Sequence, residues 1–427
     1  MKKILIIGGG IAGISLAVFL AKNKIKSILI EASPKIGGRA FSFKYKNGIT
    51  IDNGQHAIFK CYKNTLNYLE IIKAKEFLEA RKKLDFEIID LKKGENKHNL
   101  YVPSFPPFIN LLSALIKFKG YNLKDKLKTI RFFARSLFLA NNDLKNISFN
   151  ELLLQLDFFY QSRFIIEPLL VSAFNSNLED ISAFDGLKLL KKFFFSGFES
   201  YIPYFSNVGL SDLFYANAIS YLLKSGCQIN MSEKAIEIKV NKNKVCSIVS
   251  NKNVYDEFDN VVFAVPFHSL QKIKGADYLL DLNDYYFDYS PIVAGHVFLD
   301  EKNNPFKNKV FSLVNSEIDW IFGKPFGFSF VKSAAFDLVK KSDEEIIREI
   351  EKSAKSFDDK FLLPNKEDIF IFKEKRATIK SKINLKKPTI VTKISNAFLC
   401  GDWIDCGFPP TIESAIASAN KVAQKIA

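Results

Sequence analysis

Three glycines near the amino terminus, spaced Gly8-x-Gly10-x-x-Gly13, constrain this 427-residue chain more than any other feature. They follow a short apolar run, Ile4–Ile7, and precede a helix-forming stretch, Ile14–Lys22. In that setting the first glycine makes a tight turn and the second lets the backbone approach a pyrophosphate. The third lets the helix pack close on its strand. The helix N-terminus adds free N–H groups for the phosphates. Lys26–Ile30 reads as a second strand ending in Glu31, 18 residues after Gly13, where a carboxylate can accept from a ribose hydroxyl. The whole unit predicts a dinucleotide-binding α/β start.

A second reading of the same segment has to be set aside. Ile4 to Ala21 carries no charge for 18 positions after Met1-Lys2-Lys3, which is also the hydropathy of a signal peptide or a short membrane span. The glycines break such a helix, and no small-residue cleavage site precedes Lys22-Asn23-Lys24. A cytoplasmic nucleotide-binding segment is the better expectation.

The net charge of +15 suggests an acidic partner at first sight, but only seven of the 61 basic residues are Arg. Lys, Asn, Ile and the 42 Phe all have A/T-rich codons, so genome bias accounts for much of the charge and aromatic content. Neither a long basic block nor a nucleic-acid motif is present, so no nucleic-acid partner is expected. Cys61, Cys227, Cys246, Cys400 and Cys406 form no CxxC pair and fit free thiols. His56, His98, His268 and His296 show no ligand spacing, so no metal is expected.

After Glu31 the chain reads Ala32-Ser-Pro-Lys-Ile, then Gly37-Gly38-Arg39. This resembles the flavoprotein family of amine oxidases and carotenoid-type desaturases. The resemblance implies FAD as cofactor, with Gly8, Gly10, Ile11, Ala12, Gly13, Glu31, Ala32, Gly37 and Gly38 around it. Arg39 would hydrogen-bond phosphate as a fork. Near the carboxyl end, Asn396 to Asp402 reads as a short buried strand ending in Gly401-Asp402, followed by a helix from Thr411 to Ala427. In the resembled family this strand end meets the ribityl and phosphate region, and the helix start, here Thr411 and Ile412, points at the flavin ring. A helix N-terminus there stabilises negative charge on the ring.

The expected fold is α/β, with a discontinuous Rossmann-like FAD-binding domain from residues 1–58, 206–272 and 388–427. An interleaved α+β substrate domain would be formed by residues 59–205 and 273–387. Ala235–Val240 and Val245–Val249 alternate as a hairpin of the cofactor domain, and Asp259 to Pro266 reads as one of its buried strands.

Asp52-Asn53-Gly54-Gln55-His56 resembles one branch of the family, the hydroxysqualene dehydroxylases. Tyr62-Lys-Asn-Thr-Leu, Phe164 to Pro168, Ala173 to Asn175, and Gly401-Asp-Trp403 with Gly407-Phe-Pro409 and Thr411-Ile-Glu413 add to that likeness, which spans essentially the whole chain. Ser414 and Pro410 depart from it, standing where a glycine and a small residue are usual. The branch implies replacement of an allylic hydroxyl of hydroxysqualene by hydrogen, giving squalene. Hydroxide leaves poorly, so an acid must protonate it; His56 is the candidate, with Asp52 and Glu413 behind it. Gly54 and Gln55 would contact the cofactor. Phe193 to Phe195, Phe198 and Tyr201 are candidate linings of a hydrocarbon channel. A polyene desaturase, an amine oxidase and a non-enzymatic prenyl-lipid escort protein are the alternatives.

So insoluble a substrate also implies supply from lipid, a peripheral position on the inner face of the cytoplasmic membrane, and partner enzymes of squalene synthesis. The candidate contact lies in residues 105–140. Phe105 to Phe118 is apolar but too short to span a bilayer. Lys124, Lys128, Arg131 and Arg135 then form one helical stripe beside Leu127, Ile130, Ala134 and Leu137.

Overall fold

The central strand of the cofactor half, Lys3–Ile7, is buried on both faces from Ile4 to Ile7, as an uninterrupted apolar run in a parallel sheet must be. In the computed structural model, which describes residues 2–81, 84–92, 97–102, 107–139, 142–197, 199–300, 302 and 304–427, this strand lies in the middle of a five-stranded parallel sheet. Gln228–Met231 and Lys26–Glu31 stand on one side, Asn260–Phe263 and Ala397–Leu399 on the other. The strand order reverses direction at the end of Lys3–Ile7, so a crevice opens where the glycine turn begins.

The helix Ile11–Lys22 packs behind that turn, with every residue from Ala12 to Ala21 buried. Its outer side is covered by the carboxy-terminal helix Ile412–Ile426, whose small residues Ala415, Ala419 and Ala423 are buried. Gly13 makes the close approach possible: a Cβ there would lie 1.9 Å from the carbonyl oxygen of Gly8. The expected hairpin forms as Ala235–Asn241 and Lys244–Ser250, with Val254–Tyr255 as a third strand.

A seven-stranded sheet sits over the crevice. Its order is Ile369–Ile379, Tyr289–Phe298, Gly327–Lys332, Trp320–Lys324, Val310–Val314, Leu84–Asp90 and Lys97–Val102. All pairs are antiparallel except Val310–Val314 with Leu84–Asp90. Among the described residues five α-helices lie between Pro107 and Phe195, of which Pro107–Lys117 packs on Lys97–Val102 and Phe159–Phe174 on Val310–Val314 of this sheet. The five parallel strands therefore come from residues 3–31, 228–263 and 397–399, and the overlying sheet comes from the intervening stretches.

The helix Leu123–Phe138 opens with a capping box between Asn122 and Asp125. It corrects one expected pattern. The face it buries carries Thr129, Phe132, Phe133 and Ser136. Leu127 points outward, while Ile130 and Ala134 are half-buried. Lys128 is half-buried and pairs with Asp157 at 2.5 Å, so it leaves the free basic stripe. Residues 105, 106 and 140 of the expected contact segment, and the side chain of Leu137, lie outside the described residues.

Candidate functional site

One cavity of about 590 Å3 runs from the carboxyl edge of the parallel sheet into the space under the seven-stranded sheet. Gly8, Gly10, Gly37, Gly38, Glu31 and Glu233 surround one end, and Phe193, Phe194, Tyr201, Trp320 and Phe322 surround the other. Gln55 and His56 are also on its wall.

The glycine end is a cradle by construction. Gly10 and Gly37 pair as an isolated bridge, and the Gly37 amide donates to the Gly9 carbonyl at 3.1 Å. Gly10 has φ −73°, open to any residue, yet a Cβ there would meet no atom within 4 Å. Its bare backbone faces open cavity, where a phosphate can come close. Gly38 needs its glycine for another reason, a φ of +58°. Glu31 clasps the loop from below. One carboxylate oxygen accepts from the Gly9 amide at 2.6 Å and the other from the Ser33 amide at 2.7 Å. Each oxygen keeps a lone pair for a ribose hydroxyl. This chemistry fits FAD: bare backbone and a helix start for the pyrophosphate, a carboxylate for the ribose. Ile11, Ala12, Ala32, Gly54, Gly401, Asp402, Thr411 and Ile412 line the same cavity.

Arg39 is placed differently from the expected phosphate fork. Its Nη2 bonds Asp402 Oδ1 at 2.7 Å and its Nη1 donates to the Ala377 carbonyl at 2.9 Å. Two of its five N–H donors are thus committed within the chain, and the residue also lines the cavity. Asn53, which sequence reasoning passed over as a site residue, holds this segment in place. Its side chain donates to the Arg39 carbonyl at 2.7 Å and accepts from the Phe41 amide at 3.1 Å. Glu233 was also missed. Its backbone N–H donates to the Glu31 carbonyl, and its carboxylate is held by Ser250, Asn253 and Tyr255. Its only sequence signal is its position between a strand and the hairpin.

The three acid candidates separate. His56 lies on the cavity wall, and burial pushes its pKa down, while the charge of Asp52 works the other way. The imidazole is therefore neutral around pH 7. Asp52 does not reach the wall: its Oδ1 accepts from the Leu210 amide at 2.9 Å and its carbonyl accepts from His296 Nε2 at 2.9 Å. Glu413 is a correction as well. It is fully buried beneath the start of the helix Lys63–Ile71, where it accepts from the amides and side chains of Asn64 and Thr65 at 2.7–3.1 Å. Burial raises its pKa and those donors lower it. It holds two helices together and does not line the cavity. Thr411 caps its helix with Ser414, whose hydroxyl accepts from the Thr411 amide at 2.9 Å; the departure from glycine at Ser414 thus completes a capping box.

Of the expected aromatic lining, Phe193, Phe194 and Tyr201 reach the cavity and Phe195 does not; Phe198 lies outside the described residues. The sheet residues Trp320 and Phe322 were not foreseen. Trp320 Nε1 donates to Ser172 Oγ at 2.8 Å, which fixes the indole across the apolar end. Among the described residues no group of side chains is arranged to hold a metal ion.

A family model described as flavin containing amine oxidoreductase matches residues 11–357, well over half of the chain. The chain is 27% identical to a hydroxysqualene dehydroxylase of Zymomonas mobilis over 427 residues, covering 98% of this chain and 97% of the relative. It is 26% identical to a protein of the same description from Sinorhizobium fredii, covering 99% and 97%. A solved structure of putrescine oxidase with bound putrescine superposes with a TM-score of 0.72 at 13% identity, covering 100% of this chain and 98% of that one.

Proposed function

The chain belongs to the flavin-containing amine oxidoreductase family and is a FAD-dependent oxidoreductase, and from that premise we propose that it acts on an isoprenoid alcohol, reductively dehydroxylating hydroxysqualene to squalene. The observation that carries this reading is the single cavity joining the glycine cradle to an aromatic end. The full-length likeness to two relatives described as hydroxysqualene dehydroxylases supports it.

The overall change takes up two electrons and two protons and releases water. Bound FAD supplies two-electron redox chemistry to the cavity. Gly10, Gly38, Glu31 and the start of the carboxy-terminal helix would hold it there. The apolar walls formed by Phe193, Phe194, Tyr201 and Trp320 seat a hydrocarbon and exclude water, so that an allylic cation formed beside them is not captured as alcohol again. To His56, on the cavity wall, we assign delivery of the proton that makes hydroxide a leaving group. Because burial holds it neutral, that delivery is favoured toward acidic pH.

The test is anaerobic turnover of hydroxysqualene by the reduced holoenzyme, with products analysed by mass spectrometry. Squalene is the expected product. Absence of squalene, with oxidation of phytoene by the oxidised holoenzyme instead, refutes the reading in favour of a desaturase.

A further inference from the structure

Two consecutive helices, Pro107–Lys117 and Leu123–Phe138, turn large apolar side chains away from the body of the protein. Ile109 and Ile116, two turns apart on one face, are 53% and 72% exposed; Leu123, Leu127 and Phe138 are 74%, 59% and 88% exposed. These are five of the fifteen exposed large hydrophobic residues among the described residues, all within these two neighbouring helices. Scattered apolar residues need no explanation, but a cluster of this kind marks an interaction surface. It is not a misassigned core face, because the second helix already buries Phe132 and Phe133 on its other side.

Charge identifies the occupant. On the helix Leu123–Phe138 the exposed apolar stripe of Leu123, Leu127 and Phe138 runs directly beside exposed Lys124, Arg131 and Arg135. The same helix has one acidic residue, Asp125, occupied by the cap and by Gln161 Nε2 at 2.7 Å. An apolar stripe flanked by cations is what a helix lying at headgroup depth in an anionic bilayer requires. A protein partner would have to bury the cations against acids of its own. Among the described residues no helix is long and apolar enough to cross a membrane, so the contact is with the surface.

The position supports a purpose. Behind the exposed stripe, the ring of Phe133 meets Phe194 at 5.5 Å between centroids, and Phe194 meets Tyr201 at 6.3 Å. Phe194 and Tyr201 line the apolar end of the cavity. We propose that these two helices dock the protein on an anionic phospholipid surface and set the apolar end of the cavity one layer of aromatic side chains from the lipid. What passes between lipid and cavity rests on the proposed function; the docking itself does not.

Flotation with phosphatidylglycerol–phosphatidylcholine vesicles tests it, using FAD-loaded protein whose bound flavin absorbance reports folding. The wild type should float with these vesicles, and less at high salt. Lys124→Glu/Arg131→Glu/Arg135→Glu should weaken vesicle affinity on the order of a hundredfold, at about 1 kcal/mol per lost cation. Ile116→Ser/Leu127→Ser/Phe138→Ser should release the protein while its flavin is retained. Both variants should turn over detergent-dispersed substrate as the wild type does and lose rate only on vesicle-embedded substrate. A wild type that does not float, or variants that float equally well, would overturn the proposal. So would sedimentation of a wild-type dimer that the serine variant dissociates, which would make the face a contact between two copies. Failure to turn over hydroxysqualene with intact flotation would instead count against the proposed reaction alone.

Discussion

Substituting alanine at Gly10 and at Gly13 should have opposite consequences, although both glycines belong to one motif. At Gly10 the backbone has φ −73° and an added methyl meets nothing within 4 Å. The apoprotein should therefore tolerate Gly10→Ala. It should even gain about 0.4–1 kcal/mol, because the unfolded chain loses freedom. The methyl instead projects into the cavity where the pyrophosphate must approach. Overpacking of that kind costs about 1–3 kcal/mol, or roughly five- to 150-fold in FAD affinity. At Gly13 the methyl would lie 1.9 Å from the Gly8 carbonyl oxygen and 3.1 Å from its carbon. These are backbone atoms of a tight turn and cannot step aside as a side chain can. Gly13→Ala should reach at least the upper end of the same about 1–3 kcal/mol penalty, charged to the fold with or without cofactor. Flavin binding by fluorescence titration and thermal unfolding of the apoproteins separate the two effects. Wild-type FAD affinity in Gly10→Ala would refute the assignment of its backbone to the phosphates. Wild-type stability in Gly13→Ala would refute the close helix–turn contact.

Glu31→Ala should weaken FAD binding by roughly ten- to 150-fold, the equivalent of one charge-assisted bond of about 1.5–3 kcal/mol, and unchanged affinity in an equilibrium titration would remove Glu31 from the ribose. His56→Ala should slow the chemical step by about two to four orders of magnitude if His56 donates the proton; single-turnover rates near the wild type's would leave it a wall residue. Burial lowers the pKa of His56, so the folded state binds fewer protons than the unfolded chain just below the usual histidine range. That contribution to stability is present above the unfolded pKa and lost as pH falls, so His56→Gln should be less acid-sensitive than the wild type in unfolding titrations; parallel curves would contradict this. Glu413→Ala should cost about 3–5 kcal/mol, because it strands buried donors on Asn64 and Thr65, while turnover at low temperature persists. Loss of turnover in protein shown to be folded and flavin-loaded would return Glu413 to the chemistry.

Much of the cofactor half was legible because its signals are local. Lys3 to Glu31 is one continuous strand–turn–helix–strand, and spacing along the chain is also spacing in space. The same holds for the hairpin from Ala235 to Ser250, read from its alternation. What escaped was made by contacts between distant segments. Arg39 and Asp402 are 363 residues apart, and nothing in either motif says that each neutralises the other. Glu413 looked like an acid beside the flavin helix because its partners, Asn64 and Thr65, lie 349 and 348 residues away. Trp320 and Phe322 were missed for a related reason: they join the cavity only because the seven-stranded sheet is folded over it. The outward stripe on Leu123–Phe138 was half legible. Its periodicity showed a basic stripe beside the apolar Leu127, Ile130, Ala134 and Leu137, and only the packing of Phe132 and Phe133 showed which face is covered.

The interleaving of the parallel sheet has a consequence for the order of events during synthesis. Helix Ile11–Lys22, apolar nearly throughout, is covered by helix Ile412–Ile426, and strand Asn260–Phe263 pairs with Ala397–Leu399. At roughly 5–20 residues per second, the first helix waits roughly 20–80 s on the ribosome before its cover exists. For that interval the nascent chain presents an oily segment with a basic leader, the very hydropathy that resembles an export signal. Chaperone holding of the early chain, and failure of fragments ending before Ile412 to retain flavin, follow from topology alone.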